Sequence, residues 1–261
     1  MEVIIVDHPR DAGAIVADAV AALLAQRPDA VLGLATGSTP LPVYDELVRR
    51  HREEGLSFAR ARAFLLDEYV GLPADHPERY RAVIERDFTG RVDLDPAAVV
   101  GPDGLAADLA AAGPAYDAAI RDAGGVDLQI LGIGTDGHLA FNMPMSSLTS
   151  RTRLKTLTPR TRQDNARFFD GNVDRVPTHC LTQGLGTIAE SRHAVMLGFG
   201  RGKAQAVREC VEGPVSSHWP ASVLQMHPHA TVIVDAEAAD QLAFTEYYRA
   251  VREGKPAWQG L

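Results

Sequence analysis

The chain has 261 residues, 46% of them hydrophobic and 23% charged, which suits one large or two small α/β domains with a sizeable core. A formal net charge of −8 argues against a nucleic-acid partner, which asks for a basic surface. No apolar run reaches the roughly 18 residues of a membrane span, and Cys180 and Cys210 supply neither a disulfide framework nor a zinc cluster. The opening "EVIIVD" reads directly as a strand, so a cytoplasmic protein without a targeting leader is expected. "PRDAGAIVADAVAALLAQ" carries apolar residues at helical spacing behind Pro9, a favourable first-turn residue. "AVLGLATG" predicts a strand that ends in a glycine turn, and "TPLPVYDELVRRHREEG" a helix closed by Gly55. "RAFLLDEYVG" predicts one further apolar strand. "GLAADLAAAGPAYDAAIRDAGG" predicts a helix interrupted near Gly113-Pro114. "VDLQILGIG" is the most continuously apolar strand, hence expected at the centre of a parallel sheet. "HAVMLGFG" followed by "RGKAQAVRECVEG" repeats the strand–glycine–helix unit. "ATVIVD" is the last strand, and "AEAADQLAFTEYYRAVREG" the last helix.

Repeated βα units predict an α/β fold: a single domain over 1–261 with a doubly wound, mostly parallel sheet and helices on both faces. The polar, Arg/Thr-rich stretch from about 144 to 185 is expected to be an inserted active-site flap. In open sheets of this kind, ligands bind beyond the carboxyl ends of the strands. Four strands end there in residues that carry chemistry. Thr36, Gly37, Ser38 and Thr39 form a glycine turn into a helix, where backbone N–H groups, hydroxyls and the helix dipole favour an anion. Asp67 and Glu68 follow a buried strand, and on extended backbone at most one of them faces the site. Asp136 stands two residues before His138, placed to orient it or to share acid–base work. Lys203 opens a helix, an unfavourable place for a cation unless an anion lies between them. Each has an ordinary reading, as a capped turn, a solvated strand end or a solvated lysine. Four together at strand ends favour a site. No third ligand follows Asp136 and His138 at metal spacing, so no metal is expected.

"ATGSTP", "LLDEYVGL", "GIGTDGHLAFNMP", "SSLTSRTRLKTLT", "DNARFF" and "LQMHPHATVIVD" occur in the order and at the spacing of the glucosamine-6-phosphate deaminases, and the chain resembles that family nearly end to end. The resemblance implies a cofactor-free hydrolase that converts an amino-sugar 6-phosphate and water to a ketose 6-phosphate and ammonia. It implies that Asp67 moves a proton between C2 and C1, and that His138, with Asp136 beside it, opens the sugar ring. It assigns the phosphate to Thr36, Gly37, Ser38, Thr39, Arg167 and Lys203. Ser146, Arg153 and Lys155 match positions where some members bind an allosteric N-acetylated sugar phosphate between subunits, which leaves a homo-oligomer open. The sister 6-phosphogluconolactonases share the fold and keep lactone hydrolysis as a distant alternative.

Met143 departs from the pattern. The family normally has glutamate there, in "AFNEP", and this chain reads "AFNMP". Methionine holds no charge and accepts only weak hydrogen bonds, so the His138 imidazolium loses a partner. Three outcomes are open: a slower deaminase, an enzyme for a different amino-sugar phosphate, or a non-catalytic sugar-phosphate sensor. Retention of Asp67, Asp136, His138, Arg167 and Lys203 favours an enzyme.

Overall fold

The alternation of apolar strands and amphipathic helices is realised in the computed structural model, which describes residues 1–261 apart from the side chain of Ala257. The elements run β1 (Glu2–Val6), α1 (Pro9–Gln26), β2 (Val31–Leu34), α2 (Leu41–Glu54), β3 (Arg62–Leu65), β4 (Asp67–Tyr69), α3 (Tyr80–Asp87), β5 (Val99–Val100) and α4 (Leu109–Asp122). They continue with β6 (Leu128–Gly132), β7 (Arg153–Thr156), α5 (Pro159–Asn165), β8 (His179–Thr182), α6 (Leu185–Ala189), β9 (His193–Gly198), α7 (Ala204–Val211), β10 (Ala230–Asp235) and α8 (Thr245–Glu253). Seven strands form one sheet in the order β1-β10-β9-β6-β2-β3-β5, with every neighbouring pair parallel. As expected, β6 stands at the centre, and Leu128 to Leu131 are all buried.

Alternation along the strands sends successive side chains to opposite faces. Leu32, Leu34, Ala63 and Leu65 join the main core with Val16, Val20, Val43 and Leu47 of α1 and α2. Val31 and Phe64 face the other way, into a cluster with Tyr116 and Ile120 of α4. The sheet is therefore covered on both faces, as a parallel sheet requires.

Several expected elements are corrected. "RAFLLDEYVG" is not one strand. Leu66 donates its N–H to the Leu34 carbonyl at 3.2 Å and accepts from Gln183 N at 2.7 Å, and the chain then leaves the parallel sheet. β4 pairs antiparallel with β8, which also pairs with β7, in a second, three-stranded sheet. Burial of both halves of the run conceals the break from a reading of hydrophobicity alone. The helix of residues 104–125 starts only at Leu109, where the Asp108 carboxylate accepts from Ala110 N and Ala111 N, each at 3.0 Å. It runs unbroken through Pro114. Gly113 is needed there, because a Cβ would meet the Thr152 carbonyl oxygen at 2.4 Å. The last helix is shorter than expected, since residues 236–244 form turns. The Glu212 carboxylate takes the N–H groups of Ala243 and Phe244 at 2.8 and 3.1 Å, just ahead of α8. The short elements α3 and β5 were not expected at all. The polar stretch 144–185 contributes β7, α5 and β8, and has an apolar side of its own. Leu157, Ala166, Phe169, Val176 and Cys180 cluster with Tyr69, Leu72, Phe141 and Met143. Among the described residues, no helix is long and apolar enough to cross a membrane.

Candidate active site

Parallel strands bring their carboxyl ends to one edge of the sheet. There, Thr36 to Thr39, Asp67, Asp136, His138, Arg167 and Lys203 line a single cavity of about 920 Å³. Gly37 takes φ 100°, a conformation that side-chain-bearing residues rarely adopt, and turns β2 toward α2. No side chain caps the start of α2. Across the cavity, Gly200 follows β9 with its N–H on the Asp235 carboxylate at 2.9 and 3.0 Å, and Lys203 stands at the start of α7. Burial lowers the Lys203 pKa. The charge of Asp136 works to raise it, and that of Arg167 to lower it further. The sequence argument for an anion between lysine and helix thus meets a half-buried cation beside a second one.

β4 aims Asp67 and Glu68 apart, as its pleat demands. Asp67 lines the cavity and is 6% exposed. Burial, and then the charge of Glu68, hold its carboxyl well above the usual carboxylate range. Glu68 turns inward instead. Its carboxylate accepts from Tyr69 N and Tyr80 N at 2.9 Å and from Arg81 N at 3.1 Å, and so caps α3. That role was hidden from the sequence because α3 itself was.

The Asp136 carboxylate lies 2.6 Å from His138 Nδ1. Burial works to raise the Asp136 pKa, and the hydrogen bond and charge of His138 outweigh it, holding the carboxyl below its ordinary value. The imidazole lies against the backbone at Gly134, where a Cβ would sit 2.1 Å from Nδ1, so this turn has no room for any other residue. The segment after His138 is pinned to β8. Phe141 N donates to Thr182 Oγ1 at 3.1 Å, and Asn142 Nδ2 donates to the Gln183 carbonyl at 2.8 Å. Ala140, which also lines the cavity, takes φ 53°, a locally strained conformation.

The structure does not bring every candidate to the cavity. Met143 is 8% exposed and lies in the apolar cluster, with its Sδ 3.6 Å from Thr161 Oγ1. Ser146 is buried, and its hydroxyl has no hydrogen-bond partner among the described residues. Arg153 donates to Asn142 Oδ1 at 2.9 Å, and Lys155 shares its face of β7. Conversely, the cavity wall includes Tyr69, Tyr80, Asp164 and Asn165, which the sequence reading did not single out. Two signals were present. Tyr69 is two residues from Asp67 on extended chain, hence on the same face, and Asp164 and Asn165 stand just before Arg167.

The model of the family described as glucosamine-6-phosphate isomerases/6-phosphogluconolactonase matches residues 8–233. The chain belongs to this family. Within the glucosamine-6-phosphate isomerase/6-phosphogluconolactonase family, it is 66% identical over 261 residues to the glucosamine-6-phosphate deaminase of Mycolicibacterium smegmatis, with 100% of each chain covered. A solved structure described as a monomeric glucosamine-6-phosphate deaminase superposes with a TM-score of 0.89 at 41% identity, covering 92% of this chain and 99% of that one. The 6-phosphogluconolactonase from Trypanosoma cruzi superposes with a TM-score of 0.72 at 19% identity, covering 93% and 97%, a likeness of fold alone. These relatives correct the reaction class. They support an isomerase and deaminase, and not the hydrolase expected from the sequence.

Proposed function

We propose that this chain is a glucosamine-6-phosphate deaminase, an aldose–ketose isomerase that yields fructose 6-phosphate and ammonia in the cytoplasm without a cofactor. Full-length relatives of that name support the reaction. One observation carries it to these residues: a single cavity joins an anion-binding turn and two cations to a buried carboxyl with a raised pKa and a carboxylate–imidazole pair.

In this reading the phosphate sits on Thr36 to Thr39, Lys203 and Arg167, through charge-assisted hydrogen bonds. His138, oriented by Asp136, takes the proton of the anomeric hydroxyl and returns one to the ring oxygen, which opens the sugar. Asp67 then removes the C2 proton and delivers it to C1, while the carbonyl oxygen at C1 gains the proton that the C2 ammonium gives up. Nitrogen at C2 is left as an iminium, water adds there, and ammonia leaves. Proton transfer creates the bond that water attacks, so isomerisation is the step that the enzyme must catalyse. A carboxyl with a raised pKa suits this, because a base works best with a pKa near the operating pH. The segment from about 144 to 185 acts as a flap on one continuous domain, and its Arg160, Thr161, Asp164 and Arg167 form one wall of the cavity. Met143 leaves Asp136 as the carboxylate partner of His138, which makes ring opening the weakened step. Ser146, Arg153 and Lys155 form a second anion site outside the cavity. An unpartnered buried hydroxyl and two basic residues on one strand face support that reading.

The test is ammonia release from a panel of amino-sugar 6-phosphates, with solvent deuterium followed into the product. Release is expected from glucosamine 6-phosphate, with deuterium at C1. Release from another amino sugar alone would move the assignment to that sugar. Binding with no turnover would make the chain a sensor, and hydrolysis of 6-phosphogluconolactone without deuterium uptake would make it a lactonase.

A further inference from the structure

α5 spans seven residues, too few to hold a helix without tertiary support. Much of its support comes from its own flap. Thr158 Oγ1 accepts from Thr161 N at 3.1 Å, and Arg162 donates to the carbonyls of Val173 and Val176 at 2.7 and 3.1 Å. Among the described residues, one hydrogen bond between nitrogen and oxygen links α5 to the strand that carries Asp67. In it, Asn165 Nδ2 donates to Tyr69 Oη at 2.9 Å.

Tyr69 is a fixed anchor. It is 2% exposed, and its ring lies 4.8 Å from Tyr80, 5.8 Å from Phe169 and 5.9 Å from Phe141, centroid to centroid. It shares a face of β4 with Asp67. Asn165, at the other end of the bond, stands two residues before Arg167, and Asp67 and Arg167 both line the cavity. A sugar phosphate that bridges those two groups must match the distance between them.

We propose that Asn165 and Tyr69 are positioning residues whose hydrogen bond holds Arg167 at the right distance from Asp67. This rests on the reading of the cavity as a glucosamine 6-phosphate site. Tyr69→Phe removes a single oxygen and keeps the ring packing, and Asn165→Ala removes the donor. The bond is worth roughly three- to tenfold in affinity. Each variant should raise KM for glucosamine 6-phosphate by about that factor and leave kcat within about twofold, the pattern of lost uniform binding. The double variant should be no worse than Tyr69→Phe alone, which already removes the contact with Asn165 along with that between the Tyr69 and Tyr80 hydroxyls. With Arg167→Ala already present, Tyr69→Phe should leave KM unchanged, since the group that it positions is gone. A general loss of structure would not give this pattern. Amide hydrogen exchange over residues 159–169 of the ligand-free protein should quicken in both single variants. An unchanged KM, additive losses, or a KM penalty that persists with Arg167→Ala would overturn the proposal. Absence of ammonia release by the unaltered protein overturns the deaminase reading, whereas unchanged exchange in Tyr69→Phe overturns the hydrogen bond's hold on α5 whatever the activity.

Discussion

Asp67→Asn should abolish most activity and stabilise the protein at neutral pH. The substitution keeps the shape of the side chain and removes its charge. Asp67 is 6% exposed, and its pKa is raised by burial and by Glu68, with no cation or hydrogen-bond donor among the described residues acting against them. Asparagine therefore breaks no favourable contact. Removal of a general base costs about 100-fold in kcat or more, roughly 2.7 kcal/mol of barrier. The sign for stability follows from linkage. A carboxyl whose folded pKa lies above its ordinary 3.8 favours folding less and less as pH rises from there toward the folded value, because the unfolded chain ionises first. The penalty is complete at pH values above the folded pKa, and it is absent below the ordinary one. The melting temperature of Asp67→Asn should exceed that of the unaltered protein at pH 7, and the two should converge as pH falls below about 4. Thermal unfolding across pH and steady-state ammonia release measure both effects on one preparation. In the unaltered enzyme, the ascending limb of kcat/KM against pH should lie above the usual carboxylate range. Turnover within tenfold of the unaltered protein would refute the assignment of the base. A lower melting temperature at pH 7 would refute the account of its charge.

Lys203→Ala and Arg167→Ala each remove a charge-assisted contact worth about 1.5–3 kcal/mol, so each should weaken glucosamine 6-phosphate binding by roughly 10-fold or more in calorimetry. Unchanged affinity in both would reject the phosphate pocket, and glucosamine without phosphate should bind poorly for the same reason. Met143→Glu puts a carboxylate on the segment that carries His138, with Thr161 Oγ1, now 3.6 Å from the sulfur, as a donor. Turnover of the closed-ring sugar should rise, while the melting temperature at pH 7 falls, because the side chain enters a cluster with Tyr69, Phe141, Leu157 and Phe169. Equal or lower turnover at every pH would count against a missing-carboxylate defect and favour a pocket that Met143 shapes for another amino sugar.

The parallel architecture was legible because its signals are local. β6 is apolar but for Gln129, whose Nε2 donates to the Ile130 carbonyl at 2.9 Å, and a strand buried on both faces is expected to be nearly so. Gly55, at φ 75°, closes α2 where a left-handed residue was expected. Thr36 to Thr39, Asp67, Asp136, His138 and Lys203 were found as strand-end residues, since in a parallel sheet strand order along the chain already decides which ends meet. Arg167 was placed through family resemblance, and no local pattern marks it.

What local pattern could not carry was every pairing made across long stretches of chain. Asp67 and Glu68 are adjacent acids in the sequence. Their division into a cavity carboxyl and a helix cap depends on α3, whose start Glu68 itself supplies. Met143 stands in a motif beside His138, yet it is packed against residues such as Leu157 and Phe169 that a polar composition disguised. The partnership of Tyr69 and Asn165 joins positions 96 residues apart. Periodicity and turn chemistry act between near neighbours and so can be read along a chain. Contacts such as these exist only once the core has closed and brought distant segments within the few ångströms over which hydrogen bonds and desolvation operate.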